Sequence, residues 1–400
     1  MLNFPRVNDA WTFDRRILVA IRSGSSASVL SFPVSHRTRA FRLVCECLSL
    51  PPRGDIKEET IKAAALPPSF WVEFVKTSND FLVGPALALR FEELGLSGFA
   101  PSLVERHCHA VLRLNRSRNA RLRTEAVELA SELNRIDVVP LFLKGGAGLL
   151  SGLYDDEGAR IMGDLDVLVP SDRARDCERL LSELGYSLAP IRRHPRDKTI
   201  GIFVRERSIA PIDLHVEVLA YPNQGLLSAR ETIEDSLVYD LDGVTVSVPS
   251  ITHQAVLNIG HAHLNDHGYR YGYLPLRSLW DFALLLRKSS EIDWQQIDDR
   301  FAAIGEQRAV DYHCLAVGET MNVKARPDYA PGRGARFLMK RARFLTNHPP
   351  LQRIWFRCVR VAMLLRRELS DKRLRARLLR NMRDPGWWRR HLDIFWHGRA

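Results

Sequence analysis

At Ile136 the spacing of apolar residues changes, and this change constrains the fold more than any other feature of the chain. Before it they recur every three or four positions. SLVERHCHAVLRLNRSRNARLRTEAVELASELNRI predicts one long helix, or two in series, with arginines on the solvent face. Beyond it they gather into short runs: VVPLFLK, DLDVLVP, TIGIFVRER and PIDLHVEVLA read as strands. GAGLLSGLY lies between the first two with helical character. SDRARDCERLLSELGY follows the second, with Ser171 its expected N-cap and Gly185 its stop. Short apolar strands separated by helices make an α/β core over roughly 136–220.

Asp164 and Asp166 open DLDVLVP one residue apart. Strand side chains alternate, so the two carboxylates share a face while Leu165 and Val167 take the other. Carboxylates at that spacing repel and lose hydration unless a cation lies between them. Asp213, His215 and Glu217 alternate in the same way along PIDLHVEV. Neighbouring strands then present Asp164, Asp166 and Asp213 around one point. Oxygen ligands select a hard divalent cation: Mg²⁺ where phosphates take part, with Mn²⁺ able to stand in. Such a site serves phosphoryl or nucleotidyl transfer from an NTP, the metal stabilising charge on attacking and leaving oxygens. Asp213 is the expected aid to deprotonation of the acceptor. Lys144, Gly145 and Gly146, at a strand end leading into a helix, let backbone N–H groups approach phosphate, and Arg160 offers a further contact. His215, two residues past Asp213, is expected to line the cleft against substrate.

GAGLLSG also looks like a dinucleotide loop. Its glycines, Gly146, Gly148 and Gly152, give GxGxxxG rather than GxGxxG. Asp164 and Asp166 moreover precede their strand, where a ribose-binding acid follows one; only Asp172 lies in that place.

The motifs KGGAGLLSGLYDDEGARIMGDLDVLV, GYSLAP, IDLHVEV, VSVPSITHQAVLNIGHAH and LPLRSLWDFALLL resemble the uncharacterised nucleotidyltransferase family of the polymerase-β-like superfamily, from about Phe41 to Val317. The resemblance implies an α+β fold: a small mixed sheet flanked by N-terminal and C-terminal helical regions. It implies that Asp164 and Asp166 are the catalytic DxD, Asp213 the third acid, Lys144 and Gly145 the family's KG, and Arg160 its arginine before DxD. It also favours His261 as a second residue near substrate. The superfamily's usual Gly-Ser is replaced here by Lys144-Gly145-Gly146, and the gap to Asp164 is longer than in better-studied branches. The expected activity is transfer of NMP to an acceptor with release of pyrophosphate. A sugar, another small molecule, a protein hydroxyl or an RNA end all suit as acceptor.

Five regions are expected: a loose arm over 1–35, helices over 36–135, the nucleotidyltransferase core over 136–248, a helical domain over 249–325 and a basic amphipathic tail over 326–400. Charge is distributed unevenly among them. Met321 to Ala400 carries 21 Lys and Arg against 5 acids, a net +16, so the first 320 residues sum to −5 although the whole is +11. The tail, with Trp387, Trp388 and Trp396, suits an anionic membrane surface or an RNA backbone; the plainer reading is a helical cap with solvent-facing arginines. A catalytically degenerate fold acting through this tail is therefore the alternative to an enzyme. No apolar run approaches the ~20 residues of a membrane span, and RRILVAIRSGSSAS is too short for a signal segment. A cytoplasmic location is expected, or attachment to the inner membrane face. The six cysteines show no CxxC pairing. His263 and His267 read as core or surface histidines, and Arg277 with Asp281 as a surface ion pair on a helix.

Overall fold

The structure, a computed structural model, describes residues 35–54, 56–190, 198–326 and 329–370. Residues 1–34 of the expected arm, and Trp387, Trp388 and Trp396, lie outside them. Two compact units divide the chain: Met1–Asp266 with Pro275–Arg336, and His267–Leu274 with Phe337–Ala400.

The first unit begins with helices α1 (His36–Leu48), α2 (Ile56–Ala64), α3 (Pro68–Asp80) and α4 (Gly84–Glu93). Pro68 opens α3 because a first-turn N–H has no helical partner to lose. Buried aromatics join these helices: Phe74 meets Trp71 and Phe91 at ring-centre distances of 5.4 and 5.8 Å. The long periodic stretch forms a single helix, α5 (Ser102–Asn134), about 50 Å long at ~1.5 Å per residue. Its inward stripe of Cys108, Leu112, Asn115, Asn119, Leu122, Ala126, Leu129 and Leu133 repeats at alternating four- and three-residue steps.

From Ile136 the strands appear. β1 (Leu141–Phe142), α6 (Lys144–Leu150), β2 (Leu165–Leu168), α7 (Ala174–Glu183), β3 (Ser187–Leu188), β4 (Thr199–Val204) and β5 (Ile212–His215) follow in order. Then come α8 (Ala229–Glu234), β6 (Ser236–Leu241) and β7 (Val244–Pro249). They make one mixed seven-stranded sheet of order β3-β4-β5-β2-β1-β7-β6. β2 runs parallel to β5, and β1 parallel to β7; the other pairings are antiparallel. The fold is α+β, as expected. All four residues of β2 and of β5 are buried, which is why both read as near-continuous apolar runs. Leu122, Ala126, Leu129 and Leu133 of α5 share a core with Phe142, Val167, Cys177, Leu181 and Leu214.

α7 departs from its expected start. Pro170 leads into a turn, closed by the Arg173 N–H donating to the Pro170 carbonyl at 3.0 Å, and the helix begins only at Ala174 without a Ser171 cap. Gly185 does follow its end, at φ +82°.

Ser250 caps α9 (Ile251–Gly260), its Oγ accepting from the His253 N–H at 3.4 Å. The helix widens into a π-turn over His261–Asn265. α11 (Leu276–Lys288), α12 (Trp294–Ala303) and α13 (Gln307–Met321) complete the unit's helices; Trp280 is core. Among them His263 and His313 form a fully buried pair, Nε2 to Nδ1 2.9 Å apart. Burial pushes the His263 imidazole down to about 3, and burial together with its partner lowers His313. The unfolded chain takes up these protons near pH 6.5 and the folded chain does not. Stability is therefore whole above that value and falls on acidification, by up to about 1.4 kcal/mol per pH unit for each histidine. Replacing His313 by Gln is expected to flatten the slope between pH 7 and 5 by about one proton, read from urea midpoints. An unchanged slope would assign the pH dependence to other groups.

The second unit contains α10 (Gly268–Tyr271), most of α14 (Arg333–Asn347) and α15 (Pro349–Ser370). Arg341 donates to the Tyr269 carbonyl, and the Trp355 indole N–H to the Arg270 carbonyl at 3.0 Å. Tyr271 lies on Phe356, ring centres 4.3 Å apart. Gly272 has φ +65° and packs where a Cβ would meet Leu345 Cδ1 at 2.5 Å, so only glycine suits this turn.

Candidate active site

The loop leaving β1 runs directly over β2: the Leu143 N–H donates to the Asp166 carbonyl at 2.9 Å. Lys144 follows in the left-handed region, φ +49°, a conformation costly for a side-chain-bearing residue and one that aims its amine at β2. Gly145 is bare because a Cβ there would reach Met162 Cγ at 2.7 Å; Gly146 faces only ordinary contacts with Phe142 and Leu165.

In the parallel pairing of β2 with β5, Asp166 stands opposite Asp213 and Leu168 opposite His215. His215 is fully buried, with Nε2 3.1 Å from Asp166 Oδ1 and 3.0 Å from Asp213 Oδ2. Its Nδ1 lies 3.1 Å from the Glu217 carbonyl oxygen, a partner that can only accept. Burial alone would lower this imidazole, but the hydrogen bonds to Asp166 and Asp213 raise it above its ordinary value. It thus bridges the two carboxylates. The Lys144 ammonium contacts Asp166 Oδ1, the Thr199 hydroxyl donates to Asp213 Oδ1 at 2.5 Å, and Lys198 Nζ is 4.0 Å from Asp213 Oδ2. Burial works against ionisation of Asp166, yet the Lys144 charge and the His215 bond hold it well below the usual carboxylate range. Asp213 is lowered too, burial being outweighed by His215 and then Thr199. Burial and the neighbouring Lys144 charge depress Lys198.

Asp164 occupies a different place. It precedes β2 and is solvent-exposed at its own surface, while desolvation by the surrounding protein and then the Asp166 charge raise its carboxyl. The ligand atoms of Asp166, Asp213 and His215 lie within 4.8 Å of one another, and Asp164 stands just before the strand that carries Asp166. Glu217, expected on that face, lies beyond the end of β5. His215, expected at the cleft wall, is fully buried and contacts both carboxylates. A pair of carboxylates with one imidazole suits a divalent cation. Lys144 is the cation such a metal would replace on Asp166.

Arg160 is buried, its Nε donating to Asp281 Oδ2 at 2.7 Å and its Nη1 to the Ile161 carbonyl. The Tyr154 hydroxyl donates to Asp281 Oδ1 at 3.2 Å. Asp281 is thus the core of a buried ion pair rather than a surface partner of Arg277, which reaches the Ile161 carbonyl at 3.4 Å. Gly148 leaves room for the Tyr154 ring, whose Cε2 a Cβ would meet at 2.7 Å. From the other side, Asn115 and Asn119 of α5 donate to the Arg160 carbonyl at 3.0 and 2.8 Å, and Asn115 also to the Gly158 carbonyl at 2.7 Å. The loop delivering Asp164 and Asp166 is therefore clamped from both sides. A cavity of about 80 Å³ adjoins it, lined among others by Lys144, Tyr154, Arg160, His261, Arg277 and Asp281. His261 Nδ1 lies 3.2 Å from Asp266 Oδ2, and burial, then the Lys144 charge, lowers its imidazole.

The sequence model of the family described as uncharacterised nucleotidyltransferase matches residues 67–322, from the start of α3 to the end of α13. The chain belongs to this family. No curated protein matches it. Among solved structures the nucleotidyltransferase chain is similar to the antibiotic-resistance factor ANT(2'')-Ia, at 14% identity and a TM-score of 0.34, over 49% of this chain and 97% of that one. A likeness of that size carries no argument about substrate.

Residue reading alone missed Asn115, Asn119, Tyr154 and Asp281 as parts of this nucleotidyltransferase site. Amides interrupting an apolar helical stripe, four residues apart, were the available signal for the first two. Tyr154 and Asp281 left none, because Asp281 lies 127 residues from Tyr154 and 121 from Arg160.

Proposed function

We propose that the chain transfers a nucleoside monophosphate from an NTP to an acceptor hydroxyl and releases pyrophosphate. The observation that carries this reading is the register of β2 on β5, with Asp166 and Asp213 side by side in a family of nucleotidyltransferases. Asp164, Asp166 and Asp213 would hold Mg²⁺, or Mn²⁺ in its place. When bound, the ion neutralises phosphate charge and lowers the barrier to displacement at the α-phosphorus. The acceptor oxygen forms the new P–O bond there as the bond to pyrophosphate breaks.

Asp213 accepts the hydrogen bond of the attacking hydroxyl. A carboxylate held below its ordinary pKa is a weak base, so its work is to orient the hydroxyl and steer the proton outward. Lys144, released from Asp166, serves the triphosphate beside the Gly145-Gly146 backbone. Arg160 acts through Asp281 as a positioning residue for the DxD loop. His215 orients both deep carboxylates, and His261, on the cavity wall, faces the acceptor side.

Incubation of the full chain with labelled NTPs and Mg²⁺ against hydroxyl acceptors tests the reading. Transfer of labelled NMP with equimolar pyrophosphate, stopped by EDTA, is the expected result. Release of inorganic phosphate instead, or transfer indifferent to chelation, would overturn it.

A further inference from the structure

We propose that the second unit docks on an anionic lipid surface through the outward faces of α14 and α15. In α15 Leu351, Ile354, Cys358, Val361 and Leu365 recur at alternating three- and four-residue steps, so they form one stripe, and all five are exposed. Phe337 and Phe344 of α14, seven residues apart, form a second apolar face with Lys340 between them. Phe337 is 65% exposed and Ile354 51%, values far from those of side chains facing a core. Trp355 and Phe356, by contrast, engage Arg270 and Tyr271. The stripe is therefore what remains after the helix has been anchored.

Charge selects the occupant. From Phe337 to Ser370 the sequence carries eight Lys and Arg against one acid, Glu368. Arg353 and Arg360, both exposed, run along one flank of the α15 stripe. A second copy of this face would set arginine against arginine with almost no acid to relieve it. RNA would satisfy the arginines and could stack on Phe337 and Phe344, but it offers nothing to Leu351, Ile354, Val361 and Leu365. A bilayer with anionic headgroups satisfies both, taking the aliphatic stripe into its acyl boundary and the guanidinium groups at headgroup level. Among the described residues no helix is long and apolar enough to cross a membrane, so the association is with the surface.

The test is co-sedimentation of the full chain with phosphatidylcholine vesicles, with and without phosphatidylglycerol. Retention at least ~10-fold greater on vesicles of about 30% phosphatidylglycerol, falling steeply in high salt, is expected. Ile354→Ser with Val361→Ser, and separately Arg353→Gln with Arg360→Gln, are each expected to cut that retention about 10-fold. Circular dichroism and urea midpoints should match the parent; the Arg variant, altered only at exposed positions, keeps the test decisive if the Ser variant misfolds. Equal retention on neutral vesicles, retention on neither, or anionic retention unmoved by both variants overturns the proposal. RNA binding, or self-association, lost in these variants without any vesicle retention also overturns it, in favour of that partner.

Discussion

Asp166→Asn is expected to lower nucleotidyl transfer at least about 1,000-fold, on the order of 4 kcal/mol in transition-state stabilisation. The substitution keeps shape and removes one charge from the more deeply buried of the two carboxylates in the cluster. It also leaves the Lys144 amine and the His215 imidazole short of their shared partner, so stability should fall by roughly 1–3 kcal/mol. The two losses separate the two roles this residue can play. If Asp166 serves only as counter-ion to Lys144 and His215, the variant is destabilised but retains transfer within about tenfold. If it holds the catalytic ion, the rate collapses at temperatures where circular dichroism still reports a folded chain. Labelled-NTP transfer and a urea titration on one preparation decide the matter.

Asp281→Ala should cost about 3–5 kcal/mol of stability, because it strands the buried Arg160 guanidinium and deprives the Tyr154 hydroxyl of its acceptor. Asp281→Asn keeps an acceptor for both and should recover part of that loss. A catalytic deficit in the Asn variant, with the urea midpoint largely restored, would mark the ion pair as a positioning device for the DxD loop. A change below about 1 kcal/mol on Asp281→Ala would show that Arg160 finds another partner or water, and that the pair holds nothing in place.

How much of this was legible in the chain differs from segment to segment. β2 and β5 were visible because central parallel strands are buried on both faces and so read as continuous apolar runs. The β6–β7 hairpin was not picked out, although Asp242-Gly243, with φ +55° and +84°, is the kind of turn that closes a two-residue loop. The deep cluster was legible in part. Alternation placed Asp213 and His215 on one face, but it could not tell that Asp164 falls before the ladder begins and is exposed. Spacing along one helix suggested Arg277 as the partner of Asp281. The fold instead brings in Arg160 from a loop, a choice that only tertiary packing makes. Asn115 and Asn119 looked like ordinary polar residues of a long helix until the Arg160 carbonyl gave them a reason to be inside.

Because the Lys144 ammonium and the His215 imidazole already contact the deep aspartates, the sheet carries its own internal ballast. Asp166 thereby serves the scaffold through Lys144 and His215 as well as the proposed chemistry.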